Sequence, residues 1–161
     1  MNMDQELRQR LNKTLEGKGA HLDYESVLTD FPEEFRGKSL PYLPYSAWQL
    51  LEHMRIAQWD ILEFSRDPDH KSPEWPEEYW PTSTAPPDDE AWENSVNHFL
   101  RNLNQMQDLV NNPEIDLYKK IPHGSGQNIL RETILVIDHN SYHLGQMVML
   151  RKILESDSSI K

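Results

Sequence analysis

The stretch DHNSYHLGQMVMLRKIL, residues 138–154, places two histidines four positions apart in a run of aliphatic side chains. Counting back from its end by three or four residues gives one helical face, which consists of Leu154, Leu150, Met147, His143, His139 and Val136. A buried imidazole needs a partner for each ring nitrogen. Side chains at i and i+4 lie about 6 Å apart, so His139 and His143 can share a divalent metal ion. The alternative is an ordinary pair of core histidines, since this spacing is commoner than the metal sites it makes.

An upstream stretch, SAWQLLEHMRIAQWDILEF at residues 46–64, also places a histidine among aliphatic side chains. Ser46 and Gln49 form a capping-box pattern, and the apolar spacing predicts a helix over about 46–65. Its inward face consists of Leu50, His53, Ala57, Asp60 and Phe64. Taken alone, His53 is more typical of a core histidine bonded to a carbonyl or carboxylate. Three inward histidines from two facing helices can nevertheless meet at one metal site in a bundle core.

Two further segments have helical periodicity, and no segment shows a convincing strand pattern. The first helix carries Met3, Leu7, Leu11 and Leu15 on one face, and it either kinks or ends at Gly17 and Gly19. The third begins after Pro87, with an inward face of Trp92, Val96, Phe99, Leu103, Met106 and Val110. The last helix is predicted over about 128–154, followed by a frayed tail. Residues 1–161 are therefore expected to form a single all-α domain, a four-helix bundle.

The connection at about 66–87, RDPDHKSPEWPEEYWPTSTAPP, is too rich in proline for a regular helix. A connection of about 20 residues is unusual inside a compact domain and often has a covering or functional role. It is long enough to cross the length of a helix, so it permits consecutive helices to run parallel without requiring it. Trp75, Tyr79 and Trp80 either anchor this connection or cover a cavity.

Composition excludes several classes of protein. The formal net charge is −11 and no Lys/Arg run is present, which argues against binding to nucleic acid or to an anionic membrane surface. The absence of cysteine removes disulfides and thiolate ligands, and it fits a cytoplasmic location. No apolar stretch approaches the roughly 20 residues of a membrane span. The expectation is a soluble cytoplasmic protein.

Together, the two histidine-bearing segments resemble the DinB-like superfamily of metal-binding four-helix bundles, the damage-inducible-protein and YfiT-like group. The family pattern has one histidine in the second helix and H-x-x-x-H-x-G-Q in the last. It is matched here by His53, His139, His143, Gly145 and Gln146. The resemblance extends over most of the chain, and it implies an up-down-down-up bundle with one divalent ion, zinc or nickel, on the three histidines.

Three histidine ligands leave an open coordination position, which is more typical of catalytic than of structural metal sites. The resemblance implies a metal-dependent enzyme acting on a small molecule, either an S-transferase that uses a low-molecular-weight thiol or a hydrolase. The alternative is a non-catalytic metal-binding or structural module of the stress-response type, with Asp60 or Glu132 as a fourth ligand. Relatives often form dimers, so a homodimer is a further expectation. Trp48 and Trp59, away from the His53 face, would suit such an interface or packing of the first helix.

The remaining candidates each have a functional and a structural interpretation. Asp60 is a weak catalytic candidate, as a general base or a hydrogen-bond acceptor across the cavity, and a structural hydrogen bond is the alternative. Asp138 and Asn140 could orient His139. Glu52, Tyr142 and His123 could line the mouth of the site, Gly145 is expected to permit close helix packing, and the other histidines, His21, His70 and His98, are expected to lie outside the site.

Overall fold

The computed structural model describes residues 2–159, without the side chains at 89, 158 and 159, and its regular elements there are all helical. The α-helices in chain order are α1 (Met3–Leu15), α2 (Tyr24–Thr29), α3 (Ala47–Arg66), α4 (Asp89–Asn111) and α5 (Ile129–Ser159). Short 3-10 helices span Glu33–Phe35 and Glu77–Tyr79. The predicted all-α class is confirmed. In this range no helix is both long and apolar enough to cross a membrane.

The helix boundaries follow from capping side chains. Ser46 and Gln49 form the predicted capping box, so that α3 begins at Ala47. The first helix ends rather than kinks, because Gly17 adopts a φ of +70° beside the ring of Tyr24. A separate helix, α2, then begins behind Asp23, whose side chain accepts a hydrogen bond from the Ser26 backbone.

The last helix extends further than the sequence predicts. Asn128 caps α5 by accepting a hydrogen bond from the Arg131 backbone at 2.8 Å, so the helix itself begins at Ile129. The helical backbone continues through Ser159, and the predicted frayed tail after Leu154 is wrong over this range.

The core lies between α1, α3, α4 and α5, which pack against one another. The predicted inward face of α4 is confirmed, since all six of its residues are buried. Trp92 on that face donates its indole N–H to the carbonyl of Leu28 at 3.1 Å, which fastens α2 to the core. Trp48 is buried as well, so it is not available for the dimer interface suggested by the sequence, whereas Trp59 is only partly buried and packs edge-on against His70.

The most buried face of α3 runs through Leu51, Met54, Gln58 and Leu62 rather than through Asp60 and Phe64, which are only partly buried. A helix that contacts both α4 and α5 buries more than one narrow stripe. The buried Asn140 of α5 donates to Gln58 Oε1 at 2.6 Å, and Gln58 donates to the Phe99 carbonyl at 2.7 Å. The His53 face is therefore one margin of the core, which leaves room for a cleft.

Candidate metal centre

Three histidines from α3 and α5 meet at that margin. His53 Nε2 and His139 Nε2 lie 3.1 Å apart, and the ring of His143 lies 4.7 and 4.6 Å from theirs, centroid to centroid. One ligand nitrogen from each histidine lies within 4.8 Å of the other two. Two nitrogens bound to one zinc ion at about 2.0–2.1 Å are roughly 3.3 Å apart in tetrahedral geometry. His53, His139 and His143 are thus positioned to bind a metal ion, as the sequence predicts.

The hydrogen bonds of these rings determine which nitrogens are available. His53 Nδ1 lies 3.0 Å from the carbonyl oxygen of Tyr79, and His143 Nδ1 lies 2.7 Å from Oε1 of Gln146. A carbonyl oxygen only accepts, so Nδ1 of both rings must carry the proton. Their Nε2 atoms are then unprotonated in the neutral rings, which is the state that binds a metal. This donor set fits a divalent ion.

Burial keeps the histidines neutral. Burial, and to a smaller extent the neighbouring imidazoles, lowers the pKa of His53 and of His139 to about 4. Burial also lowers the pKa of His143, against the opposing effect of its hydrogen bond with Gln146. The doubly protonated forms of His53 and His139 therefore do not compete with metal binding at neutral pH.

The connection at 66–87 covers one side of the centre. Trp80 stacks on His53 with a centroid separation of 3.7 Å and an interplanar angle of 5°, and Tyr45 stacks on the other face of the indole at 3.9 Å. Ser46 Oγ donates to the Thr84 carbonyl at 2.5 Å, and Gln49 donates to the Pro81 carbonyl at 3.3 Å. The two residues that cap α3 thus also hold the connection at 66–87 in place over the metal centre.

Asp60 holds this connection rather than the metal centre. Its Oδ2 accepts a hydrogen bond from the Tyr79 hydroxyl at 2.6 Å, and its Oδ1 accepts one from His70 Nε2 at 2.8 Å. Burial, with the adjoining carboxylate, raises the pKa of the Tyr79 phenol, so this hydroxyl stays protonated and donates. His70, which the sequence analysis places outside the site, therefore helps to hold the connection that covers the metal centre. Only the folded path of the connection brings it back to Asp60.

Several other candidates lie outside the histidine cluster. The carboxylate of Glu132 is buried and paired with Arg131 at 2.7 Å, and Glu52 is paired with Arg55 and accepts a hydrogen bond from Ser95. His123 contacts the carbonyl of Phe64, near the other end of α3. Neither Glu52 nor His123 therefore lines the mouth of the site, and the structural alternative holds for both. Among the residues described, the cluster contains no fourth ligand.

The three histidines open into a cleft of about 680 Å³. Aromatic rings and two carboxylates form its walls, namely Trp75, Tyr79, Trp80, Tyr142, Asp60 and Asp138. The exposed ring of Tyr142 meets His143 edge-on at 4.9 Å, which confirms its expected place at the mouth. Asn140 donates to Gln58 in the core, and its side chain also interacts with His139, which agrees with its expected role beside that ring.

Gly145 does not serve close helix packing. A Cβ built at this position has no atom within 4 Å, so the prediction from sequence is wrong. The residue instead lines a second cleft beside the first.

Comparisons with models of protein families, with curated proteins and with solved structures find no match to this chain. The resemblance to the DinB-like superfamily therefore rests on the residues quoted above.

Proposed function

We propose that this chain is a divalent-metal-binding bundle protein of the DinB-like superfamily, with helices in up-down-down-up order, and that it acts as a metal-dependent enzyme on a small molecule. The observation that carries the proposal is the meeting of His53, His139 and His143 at the floor of an open cleft. Clefts of this size, with a few convergent polar groups, are typical of small-molecule sites.

An open coordination position favours catalysis over a purely structural role. The two carboxylates considered as a fourth ligand are engaged elsewhere, Asp60 with Tyr79 and His70, and Glu132 with Arg131. A neutral donor set of three imidazoles also leaves the full charge of the ion available to the substrate. Zinc and nickel both suit imidazole ligands.

The proposed reaction is transfer to a low-molecular-weight thiol, or hydrolysis. A divalent ion bound here supplies Lewis-acid chemistry, which lowers the pKa of a coordinated thiol or water. Tyr79 and Gln146 hold the ligand rings through their Nδ1 atoms, and Trp80 shields one face of His53 from water. Asp60 is a positioning residue, since both of its oxygens accept hydrogen bonds from the cover. Asp138 is the exposed carboxylate of the cleft, and we assign it the role of proton acceptor.

A non-catalytic metal-binding module of the stress-response type is the second candidate. The observation that favours it is that the ligands come from two helices, so an ion held by His53 of α3 and by His139 and His143 of α5 would fasten α3 to α5. In that case removal of the ion would cost most of the folding free energy. If the chain is an enzyme, we expect it to stay folded when the metal is removed, because its hydrophobic core is extensive.

The test is a rate measurement on zinc- and nickel-reconstituted protein. Transfer of a dinitrophenyl group from 1-chloro-2,4-dinitrobenzene to 2-mercaptoethanol and hydrolysis of p-nitrophenyl acetate sample the two reaction classes. We expect metal-dependent turnover that His139→Ala abolishes and that His98→Ala, a change at an exposed histidine of α4, leaves intact. Absence of turnover in both assays, together with unfolding on chelation, would favour the structural module.

A further inference from the structure

A second cleft, of about 410 Å³, lies beside the metal centre between α5 and the segment that precedes α3. We call it the apolar cleft. Its floor and walls include Leu43, Leu50, Gly145, Met149, Leu150 and Ile153. Leu50 and Leu150 are buried at its base, whereas the side chain of Met149 is 58% exposed at its rim. Among the described residues that line it, none carries a charge.

The apolar cleft adjoins the metal cleft. Tyr45, Tyr142 and Gln146 line both of them. Gln146 is also the residue that accepts the hydrogen bond from His143 Nδ1, and Tyr45 stacks on Trp80 next to His53. The apolar cleft is therefore the nearest apolar surface to a molecule that has one end at the three histidines.

Gly145 keeps this space open. Glycine in the middle of a helix is less stable than alanine by roughly 0.5–1 kcal/mol, so its presence there needs a reason. Neither a positive φ nor close packing supplies one, because φ lies outside the left-handed range and a Cβ would have no neighbour within 4 Å. What the missing side chain provides is room in the wall of the apolar cleft.

We propose that the apolar cleft binds an uncharged apolar substituent of the substrate, an alkyl, acyl or aryl group, while the reactive end of the same molecule lies at His53, His139 and His143. This inference rests on the proposed function and specifies its substrate class. A cavity of about 150 Å³ holds a benzene ring, so the apolar cleft has room for two fused rings or a medium-length alkyl chain. A charged substituent would lose its hydration there without gaining a partner.

The test uses straight-chain hydroxamic acids, whose head group binds divalent metals, as probes of metal-reconstituted protein. Calorimetry would give the dissociation constants of acetohydroxamate, hexanohydroxamate and octanohydroxamate, and elemental analysis would give the metal content of each sample. Each methylene that enters the apolar cleft should tighten binding about twofold to fourfold. The octano probe should then bind at least about 50-fold more tightly than the aceto probe.

Gly145→Leu occupies part of the apolar cleft and should reduce this ratio by about tenfold. Lys152→Leu adds the same side chain to an exposed position of α5 outside both clefts, and should keep the wild-type ratio. A metal-loaded protein that binds the three probes equally would overturn this inference alone. A second result would also overturn it. If the three probes bind equally and light scattering shows a dimer that Gly145→Leu dissociates, the apolar cleft is occupied by a second copy of the chain. Protein that takes up no metal would overturn the proposed function, and this inference with it.

Discussion

The indole of Trp80 lies parallel to the imidazole of His53, with the ring centroids 3.7 Å apart. The neighbouring residue, Tyr79, accepts the hydrogen bond from Nδ1 of the same imidazole. The connection at 66–87 therefore orients His53, the ligand that α3 contributes, in two ways: Trp80 stacks on the face of the ring and Tyr79 binds its Nδ1 atom. Loss of a group that orients a metal ligand typically costs about 10–100-fold in metal affinity or activity.

Replacing Trp80 should therefore weaken metal binding without removing a ligand. For Trp80→Leu we expect the dissociation constant for zinc to rise about tenfold or more, because His53 loses its stacking partner. Competition with a chromophoric chelator measures this dissociation constant. Trp75→Leu is the matched control, since Trp75 is 69% exposed and its ring lies 6.4 Å from that of His53. Equal affinity in the two variants would contradict this role.

Tyr79 and Asp60 should contribute to stability rather than coordinate metal. Tyr79→Phe removes a hydrogen bond to a carboxylate, and we expect the free energy of unfolding to fall by about 1–2 kcal/mol in urea titrations. In a protein that already carries Asp60→Asn, the Tyr79→Phe change should lower the free energy of unfolding by less, because the charged acceptor of the hydrogen bond is already lost. Both variants should keep their metal. A metal-free Asp60→Asn protein would contradict this assignment.

Gly145→Ala should stabilise the protein by about 0.5–1 kcal/mol, since it adds a good helix former where nothing contacts the new methyl group. Thermal or urea unfolding measures the change. The opposite result is expected for Gly17→Ala, because that residue has a φ of +70° and its Cβ would lie 2.7 Å from the Tyr24 ring. A destabilised Gly145→Ala variant would show that α5 packs against a neighbour there.

The metal-free protein should lose stability as the pH falls from about 6.5 towards 5. Burial lowers the pKa of His53 and His139 from 6.5 to about 4, so in this window the unfolded chain binds protons that the folded chain does not. Acid therefore favours unfolding, and the stability contributed by the neutral rings declines as the pH falls. Urea titrations at several pH values should show a shallower dependence for the His53→Gln/His139→Gln double variant. A single His98→Gln change should retain the wild-type slope, and equal slopes in all three proteins would contradict the assignment.

Much of the fold could be predicted from periodicity and capping. The Ser46 capping box and the apolar face of α4 are local patterns, and both are found in the structure. The three histidines could be grouped because each interrupts an apolar stripe. The buried contact between Gln58 and Asn140 could not be predicted, because its two residues lie 82 positions apart and neither looks unusual within its own helix.

The contacts that hold the metal centre in place could not be predicted from local sequence patterns either. The hydrogen bond from His70 to Asp60 and the stacking of Trp80 on His53 depend on the path of a proline-rich connection, and no periodicity describes such a path. Gly145 was misinterpreted for a related reason. A glycine that permits close packing and one that leaves a space look the same in a sequence, and only the neighbouring atoms distinguish them.

The central claim is that His53, His139 and His143 hold one divalent ion. Elemental analysis of untagged protein tests it most directly, because an affinity tag would add histidines of its own. We expect about one zinc or nickel ion per chain in the wild type and in His98→Ala, and none in His53→Ala or in His139→Ala. Wild-type protein that contains no metal, even after reconstitution with zinc or nickel, would contradict the claim, and the three histidines would then be residues of the core.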